Sequence, residues 1–276
     1  MRRHALLACV TGLVLLVAGC GGGGNSPASS AAPTPASPPT PASPPTPASP
    51  PPSAALPPEA APSPTRTTPP KPPLRALPAK LPAGLVRSTG VEQVALTFDD
   101  GPDPRWTPKV LDSLRAAKVK ATFCVVGTQV RKHPELVRRI VREGHQLCNH
   151  SWNHDLDLAR RPIAEIRADL VRTNKEIRRA VPDAKVPYYR QPGGRWTAEV
   201  VRVAKQLDMR SLHWTVDPQD WAKPTAATIR KRVKRAARPG AVVLLHDGGG
   251  DRTATLTACP KLIAALKRDH GVTKLR

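Results

Sequence analysis

The first 84 residues of this 276-residue chain contain no aromatic side chain. All nine Phe, Tyr and Trp residues lie between positions 98 and 221, whereas 22 of the 34 prolines fall in residues 1–84. A proline-rich segment without aromatic groups has too little apolar bulk to build a core, so we expect residues 85–276 alone to fold. These 192 residues are enough for one sizeable core and too few for two ordinary ones.

Two further shortages narrow the possible classes of protein. No Cys-x-x-Cys pair occurs among the five cysteines, so a structural zinc ribbon is not expected. Acidic residues are scarce, with 21 Asp and Glu against 43 Lys and Arg, and residues 85–276 hold 37 basic and 20 acidic side chains. This basic excess either binds anionic cell-wall polymers or forms a solvated, arginine-rich surface.

The N-terminus has the pattern of an export signal. Two arginines precede an apolar run over residues 5–18 that is too short for a membrane span. The run ends in Val-Ala-Gly-Cys at 17–20, which resembles a bacterial lipobox, and this resemblance implies that Cys20 is lipidated. We therefore expect a lipid anchor that holds the protein to the outer face of the cell membrane, or a secreted protein if Cys20 is not lipidated.

Residues 20–84 are predicted to be a disordered stalk. They consist largely of Pro, Ala, Ser and Thr, with a six-residue repeat beginning at Thr34, Thr40 and Thr46. This composition favours polyproline II and a spacer on the order of 150 Å long when extended, with a proline-rich binding ligand as the alternative. The predicted organisation is a signal peptide at 1–19, the lipidated cysteine and linker at 20–84, and one folded domain at 85–276.

Beyond residue 84, short apolar runs alternate with amphipathic stretches. The predicted strands are 94–98, 121–126, 145–148, 209–214 and 241–245, and the predicted helices are 108–118, 134–143, 162–180, 197–207 and 225–237. This alternation, with nearly continuous apolar strands, predicts an α/β fold with parallel strands and helices outside. The tail after Gly271 is short for a final strand, so incomplete closure is expected.

Polar residues at the carboxyl ends of such strands are the first place to look for chemistry. Asp99 and Asp100 end an apolar run, and their mutual repulsion calls for a cation or an arginine nearby, although helix capping or turn formation would also explain the pair. His150 and His154 are four residues apart, a spacing that places two imidazoles on one side of a helical turn. One carboxylate with two imidazoles is typical of a catalytic metal site that leaves positions free for water and substrate.

Five motifs occur in the order found in polysaccharide deacetylases of the NodB-homology type, carbohydrate esterase family 4. They are the segment 97–102, His-Ser-x-x-His at 150–154, Arg-x-Pro-x-Gly at 190–194, Asp-x-x-Asp-Trp at 217–221 and Leu-x-His at 244–246. Each motif is weak alone, but together they make residues 91–270 similar to this family. The resemblance implies a distorted (β/α) barrel of about seven parallel strands.

The resemblance also assigns a metal centre. It implies that Asp100, His150 and His154 bind one divalent metal ion, Zn²⁺ first, with Co²⁺ or another divalent ion as alternatives because this ligand set does not discriminate sharply. Asp99 would be the catalytic base that takes a proton from water, and Arg190 would pair with it.

The remaining motif residues are implied to act on the leaving group and the acetyl group. His246 would be the general acid, with Asp220 keeping its imidazole charged. The backbone NH of Gly193 would help to hold the oxyanion, and Trp221 and Leu244 would line the acetyl pocket. Many relatives carry an aromatic residue at the position of Gly193, so the groove wall here must be built differently.

Three cysteines, Cys124, Cys148 and Cys259, lie in the segment expected to fold in an oxidising compartment. Cys124 and Cys148 sit near corresponding ends of consecutive strands that would be neighbours in the barrel. We predict a disulfide between these two and a free thiol at Cys259.

The expected function is hydrolysis of N-acetyl groups on an amino-sugar polysaccharide, with peptidoglycan or another cell-envelope glycan as substrate. The alternatives are an O-deacetylase acting on acetylxylan, which would share the catalytic residues, and a non-catalytic module that binds the cell wall. The protein is expected to be a monomer. Nucleic-acid binding is not expected, because the chain has an export signal and lacks a basic ribbon or finger pattern.

Overall fold

The computed structural model describes residues 74–276. The signal segment 1–19, Cys20 and the linker up to residue 73 lie outside the described residues and stay predictions. The end of the predicted linker is described, and there Arg75 donates to the carbonyl of Arg161 at 2.6 Å while its own carbonyl accepts from Nε of Arg160 at 2.5 Å. Within residues 74–276, no helix is long and apolar enough to cross a membrane.

The described part of the chain contains seven strands and seven α-helices, which alternate except that β1 precedes β2 directly and α2 precedes α3 directly. The strands are β1 Leu85–Val86, β2 Ala95–Asp99, β3 Thr122–Val125, β4 Gln146–Asn149, β5 Tyr188–Tyr189, β6 Arg210–Leu212 and β7 Val242–His246. The helices are α1 Thr107–Ala117, α2 Gly127–Lys132, α3 Pro134–Arg142, α4 Ile163–Ala180, α5 Ala198–Gln206, α6 Ala226–Ala236 and α7 Thr253–Asp269. Short 3₁₀ turns occupy Leu158–Arg160, Pro192–Gly194 and Asp220–Ala222.

The strands form one parallel sheet in the order β1-β6-β5-β4-β3-β2-β7. The sheet curls into a half-barrel with helices packed on its outer face, which confirms the predicted distorted barrel of about seven parallel strands. Isolated bridges join Ser88 to Ala241 beside the two edge strands and Val272 to Val94 in the C-terminal tail. The tail thus adds a single bridge and no eighth strand to the described sheet.

The five strands and five helices predicted from apolar patterning are all present, with ends shifted by one or two residues. Patterning missed β1 and β5, because two residues are too few to establish a period. It also missed α2, which has six residues, and α7, which contains Pro260 and follows three consecutive glycines.

Alternation along the strands separates an outer core from an inner one. In β2, Leu96 and Phe98 face the helices, and Phe98 stacks on Phe123 with ring centroids 5.3 Å apart. Ala95 faces the inside of the half-barrel. The other buried members of that inner cluster are Cys124, Cys148, Tyr188, Leu212, Val242 and Leu275.

A disulfide joins Cys124 and Cys148 within the inner cluster, where the two residues are direct register partners on β3 and β4. Cys259 is a free thiol buried in the outer core. Its pKa is raised to about 12, because burial disfavours the thiolate.

His145 lies buried just before β4, and its Nδ1 accepts a hydrogen bond from the backbone NH of Ala121 at 3.1 Å. Burial, assisted by the charge of Lys120, lowers the pKa of His145 to about 4. The unfolded chain takes up a proton near the ordinary histidine pKa of about 6.5. The folded state therefore loses stability as pH falls from about 6.5 to 4.

Replacing His145 by Gln removes this titration while offering Ala121 a side-chain oxygen. We expect the free energy of unfolding of the wild type to fall about 1–2 kcal/mol more than that of His145→Gln between pH 6.5 and 4.5, measured by urea unfolding. Thr257→Gln, a substitution at an exposed helix position that does not titrate, should keep the wild-type slope. An unchanged slope in His145→Gln would contradict the assignment of a neutral, buried imidazole.

Candidate active site

Four candidate functional side chains lie at the carboxyl ends of the strands and point to the inside of the half-barrel, on the same side as the inner cluster. Asp99 and His246 end β2 and β7 and are direct register partners. His150 and Arg190 each follow the last residue of their strand, β4 and β5. Because side chains alternate, residues two positions beyond the inner-facing Cys148 and Tyr188 point to the same side of the sheet.

Asp100, His150 and His154 bring one oxygen and two nitrogens within 4.8 Å of one another. Oδ1 of Asp100 lies 3.4 Å from Nε2 of His150 and 3.3 Å from Nε2 of His154. That oxygen is buried and has no hydrogen-bond partner, whereas Nδ1 of His150 bonds to the carbonyl oxygen of Arg190 at 2.8 Å. This bond sets Nδ1 as the donor and leaves the lone pair of Nε2 facing Asp100, so the three groups fit a divalent cation.

The electrostatics of Asp100 agree with such a centre. Burial alone would raise the pKa of Asp100, but the neighbouring imidazoles of His150 and His154 and the charge of His246 hold that pKa well below its usual range. The side chain is thus a carboxylate at neutral pH.

The segment 150–154 is a loop, so the prediction that the two histidines share one side of a helical turn was wrong. Ser151 and His154 both have positive φ, at 65° and 58°. Oγ of Ser151 accepts from the backbone NH of His154 at 3.0 Å, and the side chain of Asn149 accepts from the NH of Ser151 at 2.9 Å. These local bonds bend the loop so that both imidazoles reach the same carboxylate without helical geometry.

Asp99 pairs with a fully buried arginine. Nη1 of Arg190 lies 2.7 Å from Oδ1 of Asp99 and 2.8 Å from Oγ1 of Thr97. The same guanidinium donates to the backbone carbonyls of Leu212 and His213 at 3.3 and 3.2 Å. A guanidinium held on four oxygens fixes the position and orientation of the neighbouring carboxylate.

His246 forms a second charged pair with Asp220. Nδ1 of His246 lies 2.6 Å from Oδ1 of Asp220, whose other oxygen accepts from the NH of His246 at 3.0 Å and from Oγ1 of Thr255 at 2.8 Å. Burial lowers the pKa of His246, but the bond to Asp220 and the charges of Asp220, Asp100 and Asp99 outweigh it and raise that pKa to about 9. The imidazole therefore carries a proton at neutral pH.

One cavity of about 600 Å³ opens onto these groups. Leu244 and Trp221 line it, as the resemblance implies, with Leu244 buried and Trp221 51% exposed. Gly193 also lines the cavity, in a turn where its φ is +61°. The structure thus brings all the residues predicted to bind the metal, act as base and acid and line the pocket to one edge of the half-barrel.

Several residues around the site were missed by the sequence reasoning. Leu156, Arg195 and Trp214 line the cavity but belong to no motif. Arg252 is buried and donates to the carbonyls of Gly248 and Gly249 at 2.6 and 3.0 Å. An arginine so close to a glycine run was a weak signal, because only the folded chain shows which carbonyls need a donor.

Asp247 is a buried carboxyl beside the site that the motifs did not assign. Its Oδ2 accepts from Oγ1 of Thr107 at 2.6 Å, and its Oδ1 has no partner. Burial raises the pKa of Asp247 to about 7, since the Thr107 bond only partly compensates. It packs against Gly101, where a Cβ would lie 2.5 Å from the carboxylate, so it supports the turn after Asp99 and Asp100.

The geometry therefore combines a cation site, a paired carboxylate and a protonated imidazole around one cavity. A carboxylate on one side of a carbonyl can accept a proton from water, and an imidazolium on the other can donate one to a leaving group. The fold and site define a hydrolase with a place for a divalent cation.

Comparison with known proteins agrees with this class. The profile of the polysaccharide deacetylase family matches residues 87–212. The chain is 44% identical over 191 residues to a chitooligosaccharide deacetylase of Bradyrhizobium sp., covering 65% of this chain and 87% of the relative. It is 38% identical over 177 residues to a peptidoglycan-N-acetylglucosamine deacetylase of Bacillus cereus, covering 63% of this chain and 82% of that protein.

A solved peptidoglycan N-acetylglucosamine deacetylase superposes with a TM-score of 0.66 at 34% identity, covering 70% of this chain and 91% of the other. The chain belongs to the polysaccharide deacetylase family, carbohydrate esterase family 4, and is a hydrolase. The family profile ends at residue 212, before Asp220 and His246. The pairing of β7 with β2 places His246 beside Asp99. Asp220 reaches the site through its hydrogen bonds to His246.

If Asp100 binds the cation and Asp99 does not, substitutions at these two adjacent carboxylates should change Zn²⁺ affinity to different extents. Asp100→Ala should weaken Zn²⁺ binding by more than about 100-fold, because it removes a ligand, whereas Asp99→Asn should bind Zn²⁺ within about tenfold of wild type. Isothermal titration calorimetry with Zn²⁺, and in parallel with Co²⁺, measures both. His133→Ala, which removes a histidine outside the cluster, should bind as wild type does. Equal affinity in Asp100→Ala and wild type would exclude this triad as the metal centre.

Proposed function

We propose that the protein is a metal-dependent N-deacetylase of amino-sugar polysaccharide in the cell envelope, with peptidoglycan as the substrate. The observation that carries the proposal is the convergence of the Asp100, His150 and His154 cluster with two charged pairs, Asp99 with Arg190 and His246 with Asp220, on one cavity. The named activities of the relatives, on chitooligosaccharide and on peptidoglycan N-acetylglucosamine, support the N-acetyl group as the target.

The residues divide the chemistry between them. A divalent ion held by Asp100, His150 and His154 would supply Lewis acidity that activates water and polarises the acetyl carbonyl. Asp99 accepts the proton of the attacking water on the carboxylate that Arg190 holds at 2.7 Å. Arg190 fixes the orientation of that carboxylate, so no rotation is needed at the moment of attack.

His246 completes the reaction on the leaving side. An amine leaves a tetrahedral centre poorly unless it is protonated, and the pKa of about 9 keeps a proton on His246 at neutral pH. Because Nδ1 is bonded to Asp220, Nε2 is the nitrogen that donates. The backbone NH of Gly193 would face the oxyanion, and Leu244 and Trp221 would enclose the acetyl methyl group.

The location of the substrate is proposed from the N-terminal sequence. A signal peptide at 1–19, a lipidated Cys20 and the proline-rich linker at 20–84 would present a catalytic domain at 85–276 to the cell wall from the outer face of the membrane. The basic excess of the chain would favour a wall rich in anionic polymers.

Acetate release tests the proposal. The full chain with Zn²⁺ should release acetate from N-acetylated peptidoglycan and chitooligosaccharide faster than from acetylxylan. Asp99→Asn should lower kcat by roughly 10²–10⁴-fold while wall binding is unchanged, because only proton transfer is lost. Asp183→Asn, the same substitution at an exposed position, is the matched control and should leave kcat unchanged.

Three results would contradict the proposed activity or the proposed role of Asp99. Faster acetate release from acetylxylan would favour the O-deacetylase. Wall binding without acetate release from any substrate would favour a binding module. Equal rates for wild type and Asp99→Asn would exclude Asp99 as the base.

A further inference from the structure

The groove wall at Gly193 is built by residues outside the motifs. Gly193 has φ +61°, a conformation that side-chain-bearing residues rarely adopt, and a Cβ there would lie 3.0 Å from Cδ2 of Leu156. It would also lie 3.8 Å from Cγ and 3.9 Å from Nε of Arg195. The space above Gly193, where an aromatic side chain would rise, is therefore occupied by Leu156 and Arg195, which we call the replacement wall.

Both residues of the replacement wall are available to a substrate. Leu156 is 40% exposed, and the side chain of Arg195 is 42% exposed. Both line the cavity that contains Asp100 and His154. Leu156 follows His154 by two residues and Arg195 follows Gly193 by two, so short tethers fix the wall close to the metal cluster.

The replacement wall is cationic. Nη1 of Arg195 lies 3.2 Å from Oδ1 of Asp157, but the same oxygen also receives Nη1 of Arg160 at 3.1 Å. The single negative charge of Asp157 can neutralise only one of these two guanidinium groups, so the pair of arginines keeps a net positive charge. Within residues 74–276, Nε and Nη2 of Arg195 have no hydrogen-bond partner, so they are open to an acceptor.

The other arginine in the cavity lining is not available in this way. Arg252 is 3% exposed and directs its guanidinium to the carbonyls of Gly248, Gly249 and Asp220. The acidic residue at the rim, Asp217, accepts from the NH of Gln219 at 2.6 Å. Arg195 is consequently the arginine of this lining that can bind an anionic group of the substrate.

We propose that Leu156 and Arg195 make the site selective for acidic glycans, in which a neighbour of the reacting amino sugar carries a carboxylate on a short apolar arm. The lactyl ether of muramic acid has this chemistry, with a methyl group to contact Leu156 and a carboxylate to accept from Arg195. The inference rests on the proposed deacetylase function and names the substrate class of the same site.

Matched tetrasaccharides separate the charge from the sugar backbone. The first is a peptide-free tetramer of alternating N-acetylglucosamine and N-acetylmuramic acid, the second is that tetramer with its carboxylates reduced to alcohols, and the third is chitotetraose. For wild type with Zn²⁺, kcat/KM from acetate release should be about five- to tenfold higher on the first than on the other two. This preference should shrink in 0.5 M salt, because a half-exposed ion pair is screened.

Arg195→Gln should bring the preference to within about twofold, mainly through a higher KM on the acidic tetramer. Arg195→Lys should keep part of the preference, since lysine keeps the positive charge but cannot donate two parallel hydrogen bonds to a carboxylate.

Arg268→Gln is the matched control, because Arg268 is exposed, pairs with Asp269 at 2.9 Å and lies at the C-terminal end of α7, far from the cavity lining. The double variant Asp157→Asn/Arg195→Gln tests whether an uncovered Asp157 merely repels the acidic glycan, and it should also show no preference.

An unchanged preference in Arg195→Gln would overturn this inference while leaving the deacetylase function intact. A preference restored in the double variant would also overturn it, because repulsion by Asp157 would then explain the loss. No acetate from any of the three tetrasaccharides would contradict both the proposed function and the inference.

Discussion

The ion pair between Arg190 and Asp99 is the interaction on which the rest of the site depends. Arg190 is fully buried, and its guanidinium joins β2 through Asp99 and Thr97 to the end of β6 through the carbonyls of Leu212 and His213. Its own carbonyl accepts from His150, a residue of the Asp100, His150 and His154 cluster. A buried charge is tolerated only when its partners are all in place, so this one residue fixes the carboxylate proposed as the base and orients one imidazole of the proposed cation site.

The half-barrel allows two carboxylates and two imidazoles to take different roles within a few ångströms. Asp100 has no hydrogen-bonding partner at the oxygen that faces two histidines, whereas Asp99 is held by a guanidinium. His150 donates Nδ1–H to a carbonyl and presents a lone pair, whereas His246 bonds to a carboxylate and is protonated. The neighbour of each group, more than its residue type, decides whether it binds a cation or moves a proton.

Much of the fold and of the candidate site could be predicted from sequence, because long apolar runs mark β2 and β7 and the polar residues after them mark the carboxyl edge. The two-residue strands β1 and β5 could not, since pairing with neighbours alone defines them. The loop at 150–154 shows the same limit, because its spacing fits a helix and its side-chain bonds make a turn. Leu156 and Arg195 pack beside Gly193, where a Cβ would lie 3.0 Å from Cδ2 of Leu156, and no motif contains this contact.

A double-mutant cycle on Arg190 and Asp99 tests most directly whether this pair organises the site. Arg190→Met should lower the free energy of unfolding by about 3–5 kcal/mol, because Asp99 is left buried and unpaired. Arg190→Met/Asp99→Asn should recover part of that loss, giving a coupling energy of about 2 kcal/mol or more in urea unfolding. Additive effects within about 0.5 kcal/mol would show that the two residues do not depend on each other, and would contradict the account.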